Sequence, residues 1–361
     1  MRRGTALLLV AMMAVAAPAG RAAPAKPSFA QLNARVIDKY VLPRFERLAK
    51  ASGKLAEDVT RLCDGAKDAA SSVKTDFADT VLAWGAVEFL RFGPMSQIGR
   101  PERFEFWPDP RGVTQRQVNA LVVKRDVMAL DPAQLIKKSA AVQGLSALEV
   151  LLYDDKRPLG GDDEEGSYRC KLALSMAQST HALSEEILTE WQGDTGWRLR
   201  MVEPKAGDPR YKSAEEPAGD FARALITGLQ MIQDREVVPM INAIATPDKP
   251  PRLPFSRAGL SARYIASGIA STQALYETMG LARNVSGDKA WMPRWIGEAF
   301  HRLARDAPAA VEEIPRAKDN PERARDLRMV RFHVEGIRKL VGRELAPAAG
   351  LQIGFNELDG D

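Results

Sequence analysis

Glu164-Glu165-Gly166-Ser167-Tyr168-Arg169-Cys170-Lys171-Leu172-Ala173-Leu174-Ser175-Met176, continued without a break to Trp191, is the stretch on which the fold turns. Tyr168, Leu172, Met176, Leu183, Ile187 and Trp191 recur in it at helical intervals, so they share one face of a single long amphipathic helix. A run this long and this periodic is not a strand. The acids before it, Asp154, Asp155, Asp162 and Asp163 with Glu164 and Glu165, suit a helix start, where negative charge meets the positive end of the macrodipole. They lack the spacing and central glycine of a calcium loop.

The same period extends outward in both directions. Phe29, Leu32, Val36, Tyr40 and Leu48 step along one face, with Pro43 expected to kink or restart the segment. A strong helix runs through Val81 to Leu90 and stops at Gly93-Pro94; another begins near Thr114; Asp131-Pro132 reads as an N-cap followed by proline at the first helical position. Between Gly193 and Gly219 the pattern dissolves into glycines, prolines and charges, which predicts a connector or an irregular excursion near a domain boundary. Beyond it come Phe221, Leu225, Leu229, Ile232 and Ile241, then Leu260, Tyr264, Ile269, Leu275 and Met279, and finally Leu327, Val330, Val334, Ile337 and Val341. Period-two strands with hairpin turns are missing. The expected fold is all-α: two antiparallel helical-bundle domains packed together, one over 27–200 and one over 215–350.

The first residues set the compartment. Arg2 and Arg3 precede an apolar run from Ala6 to Ala17, then Pro18 and the small-residue stretch around Ala19 and Gly20. That is the layout of a secretory signal peptide over 1–22, cleaved near Ala22, with Ala25 a second possible site. The run is too short to cross a bilayer, so no transmembrane span is expected after cleavage and the protein is expected in the periplasm. Removing the leader takes away three of the 51 basic residues and none of the 47 acidic ones, leaving an almost neutral chain. Without a basic stripe carrying interleaved aromatics, nucleic acid is not an expected partner. In an oxidising compartment the two cysteines, Cys63 and Cys170, are expected to form a disulfide tying an early helix to the long one.

Histidine scarcity narrows the chemistry. His181, His301 and His333 are followed at the third position by Ser184, Ala304 and Gly336, so no local pair of helical zinc ligands with a glutamate can be written. No Gly-rich phosphate loop precedes a strand and no G-x-S-x-G elbow exists. Two segments stand out. The loop Gly99–Gly112 packs three arginines, three acids and three aromatics, among them Arg100, Trp107, Asp109 and Arg111, into a proline-broken stretch where binding residues or an internally paired structural loop are both possible. In Gly144–Tyr153, Leu145, Leu148 and Leu152 form an apolar stripe, while Ser146, Glu149 and Tyr153 fall on an adjacent face. A carboxylate in so apolar a helix needs a partner or solvent: an arginine such as Arg100 or Arg111, or a ligand.

These residues resemble the imelysin-like family of exported bacterial proteins, named after an insulin-cleaving metallopeptidase and associated more widely with iron acquisition. The likeness is most specific from Trp84 to Cys170, through Phe92-Gly93-Pro94, the Phe106-Trp107-Pro108-Asp109 loop with Arg111-Gly112, the Gly144 helix and Arg169-Cys170, and is weaker over Ser256 to Leu281. The resemblance implies two helical bundles with a site in the crevice between them, where Trp107, Asp109 and Arg111 approach Ser146 and Glu149. Family members carry Gly-x-His-x-x-Glu; here the string is Gly144-Leu145-Ser146-Ala147-Leu148-Glu149, with serine at the histidine. A hydroxyl does not replace imidazole as a strong ligand for a divalent transition metal, so the peptidase role is not expected to carry over and no residue is assigned as catalytic. Glu149 stays as the one potential metal ligand, with a divalent metal or iron as the cofactor the family suggests, and Ser146→His is expected to restore metal affinity with Asp109 as a third ligand. The expected protein is a periplasmic binding or accessory factor that takes a small ligand or metal complex in the crevice, serves iron uptake and works with envelope iron-uptake proteins; the alternative is a metal-dependent peptidase using Glu149.

Overall fold

The computed structural model describes residues 28–351 apart from 67, 162, 194, 246–250 and 314–320, and among the described residues every regular element is helical. The signal peptide expected over 1–22 lies outside the described residues. The first helix opens on a capping box: Ser28 Oγ accepts from Gln31 N at 3.2 Å and Gln31 Oε1 accepts from Ser28 N at 3.0 Å. From there α1 (Phe29–Val36) passes through a π-turn (Ile37–Val41) into α2 (Leu42–Cys63). A proline ring crowds the carbonyl four residues back, and the wide turn lies where Pro43 would crowd it. The helix therefore restarts at Pro43 without ending.

After α2 come α3 (Ala69–Gly85), α4 (Arg100–Phe104), α5 (Val113–Lys124), α6 (Pro132–Leu135), α7 (Gly144–Leu152) and α8 (Glu164–Trp191). Asp131 caps α6 by accepting from Ala133 N at 2.9 Å, although that helix is a single turn. Asp163 caps α8 by accepting from Gly166 N at 2.7 Å, with Glu164 and Glu165 in its first turn. The acidic run thus charges a helix start, and Arg125 and Arg157 pair with Glu164 and Asp154. The chain continues through α9 (Trp197–Val202), α10 (Glu215–Ile232), α11 (Val238–Ala245), α12 (Ser261–Met279), α13 (Met292–Glu313) and α14 (Pro321–Leu340).

In the first half α2 packs against α3 and α8, and α7 against α8; in the second half α12 packs against α10 and α13, and α13 against α14. The halves interlock: α1 packs on α9, α10 and α12, and α3 touches α12. One buried apolar cluster runs through both, from Leu32 to Leu351. The stretch expected as a connector is itself packed, with α9 inside it and Met201 and Tyr211 buried. Cys63, the last residue of α2, is bonded to Cys170 in α8 across a Cα separation of 5.5 Å. The bridge closes a loop spanning 107 positions, which in the chain-entropy view restricts the unfolded state by about 4 to 5 kcal/mol. Among the described residues no helix is long and apolar enough to cross a membrane.

Candidate functional site

The site begins with a glycine. Gly144 has φ +67, and a Cβ on it would collide with the carbonyl oxygens of Arg103 and Phe104. Only glycine lets α7 start against that backbone in that conformation. The contact fixes α7 beside the segment that leads from α4 into the loop 105–112. Leu145 and Leu148 are fully buried on one side of α7, and Ser146 and Glu149 face a cleft of about 470 Å³ on another. Tyr153, expected on the same face, packs against Phe77 and is not part of the lining.

Trp107, Asp109 and Arg111 line the same cleft, as do Arg116 of α5 and Arg252, Phe255 and Arg257 from the stretch before α12. Five of the six residues singled out in the sequence therefore surround one space. Arg100 does not. It is buried away from the cleft, where its guanidinium donates to Pro94 O at 2.8 Å and is paired with Glu186 and Glu190 of α8. An arginine that close to two helical carboxylates welds α4 to α8 and has no role in the lining.

Each acid of the cleft has a defined partner. Asp109 accepts from Val113 N at 2.7 Å and Thr114 N at 2.9 Å, capping α5. Burial opposes its ionisation, but these two N–H groups and the Arg116 charge hold its carboxyl below its ordinary value. Glu149 Oε1 accepts from Ala258 N at 2.9 Å, so the partner of this carboxylate is a backbone N–H beyond the first half and neither Arg100 nor Arg111. Burial pushes the Glu149 carboxyl up to about 7, against the pull of that N–H and of the Arg257 charge.

The loop is held from below. Arg235, in the π-turn Gln233–Val237, donates to Trp107 O at 2.9 Å and to Glu88 Oε2 at 2.6 Å. Glu105 accepts from Trp84 Nε1 and Tyr264 Oη, both at 2.8 Å. Burial, partly offset by the Arg235 charge, raises the Glu105 carboxyl; Glu236 beside them is raised further by burial and by Glu88. The indole N–H of Trp107 is buried with no acceptor among the described residues. Arg252 donates to Asp109 O at 3.2 Å and Pro110 O at 2.6 Å, and Arg116 to Arg111 O, so these two also brace the loop.

The donor set decides what the cleft can hold. Arg111, Arg116, Arg252 and Arg257 meet Asp109 and Glu149 there, and none of the four arginines lies within ion-pair distance of a carboxylate among the described residues. No group of three or more His, Cys, Asp or Glu among those residues could hold a metal ion. His181 sits against Gly53 and Ser52, His333 against Trp295, and His301 is exposed. With Asp109 committed to its cap, Glu149 and a hydroxyl are what remains, and they do not fit a divalent transition metal. Asp109, expected as a third ligand beside a histidine at 146, accepts here from two backbone N–H groups of α5. Arg116, Arg252 and Arg257 were not read from sequence; the weak resemblance over Ser256 to Leu281 is the signal that touches one of them.

Comparison with known proteins agrees with this architecture. The Imelysin family model matches residues 41–328. The fold is similar to that of an imelysin-like protein from Psychrobacter arcticum, with TM-score 0.72, 21% identity, and coverage of 90% of this chain and 98% of that one. It is also similar to an iron-regulated protein A precursor from Parabacteroides distasonis, with TM-score 0.66, 11% identity, and coverage of 88% and 95%. Among curated proteins nothing matches. The chain belongs to the imelysin family.

Proposed function

We propose that this member of the imelysin family is a periplasmic binding or accessory protein whose cleft takes a small polyanion, a polycarboxylate free or as its ferric complex, and that it serves iron uptake beside envelope iron-uptake proteins. The observation that carries the reading is the four arginines facing one cleft without a carboxylate in ion-pair range among the described residues, of which the Arg111 and Arg257 guanidinium groups have no hydrogen-bond acceptor among those residues, the Arg257 charge acting on Glu149 from beyond that range. Such guanidinium groups suit planar, multiply charged oxyanions, which they bind through paired N–H donors. Glu149 adds a proton-dependent element: protonated, it donates to a ligand carboxylate; ionised, it repels one. Trp107 offers a wall of the cleft. Iron is the cargo in this reading. Its support is the fold shared with an iron-regulated precursor, and export rests on the leader over 1–22.

The reading is tested by calorimetry with citrate and ferric citrate. Wild type is expected to bind, and Arg257→Gln and Arg111→Gln each to lose about tenfold or more, since charge-assisted bonds contribute on the order of 1.5 to 3 kcal/mol. Affinity is also expected to fall as salt rises. Binding unchanged in both variants, or none in wild type, would overturn it. A peptidase built on Glu149 has no supporting observation in this donor set.

A further inference from the structure

The packed pair α13 and α14 turns an outer face to solvent that is both aromatic and cationic. On α14, Arg325, Arg328, Met329, Phe332 and Lys339 follow at helical spacing and form one stripe. On α13, Trp295 and Arg302 stand seven apart, and Trp291 lies one turn earlier, its carbonyl accepting from Trp295 N at 3.1 Å. Trp295 joins the two stripes. Its indole lies so close over Gly336 that a Cβ there would come within 2.3 Å of it, and it meets Phe332 edge to face at 6.4 Å between centroids. The inward sides of both helices are filled by Ile296, Phe300, Val330 and Val334, all buried. Trp291, Met329 and Phe332 are instead 53%, 41% and 56% exposed, so their apolar surface serves no core. Arg294, Arg305 and Arg331 pair with Glu298, Asp306 and Glu335 of their own helices. Arg302, Arg325, Arg328 and Lys339 are exposed and lie within ion-pair distance of no carboxylate among the described residues. Along α14 two of these cations precede Phe332 and one follows it, so free positive charge stands on both sides of the rings.

We propose that this face docks the protein on an anionic phospholipid surface, with Trp291, Met329 and Phe332 entering the boundary between headgroups and acyl chains while Arg302, Arg325, Arg328 and Lys339 engage lipid phosphates. Charge complementarity selects that occupant: cations with no acid of their own attract a negative surface, and guanidinium forks match phosphate oxygens. Exposed indole and phenyl rings flanked by such cations suit a layer that is wet on one side and apolar on the other. The contact is lateral, with the helices lying on the surface; none among the described residues is long and apolar enough to span it. The face shares no residue with the cleft and does not depend on what the cleft binds.

The test is flotation of the full mature chain with vesicles of phosphatidylcholine alone and of phosphatidylcholine mixed equally with phosphatidylglycerol. Wild type is expected to bind the mixed vesicles about tenfold or more tightly than the neutral ones, and to leave them as salt rises. The double variants Arg325→Gln with Arg328→Gln and Trp291→Ser with Phe332→Ser are each expected to weaken binding about tenfold, with Arg257→Gln in the cleft leaving it unchanged. All four substituted side chains are exposed, so both variants keep the core intact. No binding, equal binding to the two vesicles, or wild-type binding in either double variant would overturn the proposal. A dimer lost in Trp291→Ser with Phe332→Ser, without vesicle binding, would overturn it too and assign the face to a second copy of the chain. None of these results bears on citrate binding in the cleft.

Discussion

Glu149 is the residue whose behaviour follows most directly from its surroundings. Its carboxyl stands at about 7 in the fold against an ordinary 4.5, with burial as the main cause. Between those values the folded state binds the extra proton, so this residue's contribution to stability is fully present below about 4.5 and is lost as pH rises to about 7, on the order of 2 to 3 kcal/mol. Glu149→Gln keeps an acceptor for Ala258 N–H and carries no charge. It is expected to flatten the decline in melting temperature between pH 5 and 8; a profile unchanged from wild type would sink the assignment. Ser146 and Glu149 were legible in the sequence because helical spacing put them on one face. Arg252 and Arg257 were not, since they come from a stretch without regular period and reach the cleft only through the tertiary fold. Asp109 was visible too, and two backbone N–H groups of α5 take two of its acceptor positions; Ser146→His is expected to bind zinc more tightly than wild type, which calorimetry of the variant measures, and no gain in a variant that folds normally would contradict it.

At the scale of elements, the long helix was read from its period alone, and its bounds Glu164–Trp191 are those the periodicity marked. The short elements were harder. Asp131-Pro132 does start a helix, but of one turn, because a cap and a proline specify a beginning and say nothing of length. The start of α7 depends on Gly144, whose neighbours across the contact, Arg103 and Phe104, are distant in sequence. Gly144→Ala is expected to cost roughly 2 kcal/mol or more, as it adds both a positive-φ penalty and a backbone collision. Chemical denaturation measures this, and a loss under about 0.5 kcal/mol, the range of neutral surface changes, would contradict the geometry. The bridge between α2 and α8 is expected to leave no free thiol in unfolded, unreduced protein, and replacing both cysteines by serine to cost about 2 to 5 kcal/mol. Two labelled thiols in the unreduced chain would contradict it.

For the whole molecule, the two halves, expected as bundles packed together, share one apolar cluster, and α1 packs on α9, α10 and α12. Amphipathic spacing reveals that a helix has a buried face and not which helix covers it, so this crossing was not legible in the sequence. It matters for the site, because Glu149 on α7 and Ala258 before α12 meet only when the halves are docked. The balance of charge in that joint space is what the proposed anion binding rests on: four arginines surround a single carboxylate left free of capping duty. With zinc supplied, the purified protein is therefore expected not to cleave an unfolded polypeptide, and cleavage abolished by Glu149→Gln would refute this. The most direct measurement is equilibrium dialysis of the metal-stripped mature protein against citrate, ferric citrate and free zinc at equal concentration. Citrate or its ferric complex is expected to be retained at one per cleft, less in Arg257→Gln, with no stoichiometric zinc; stoichiometric zinc without citrate would contradict anion binding in the cleft.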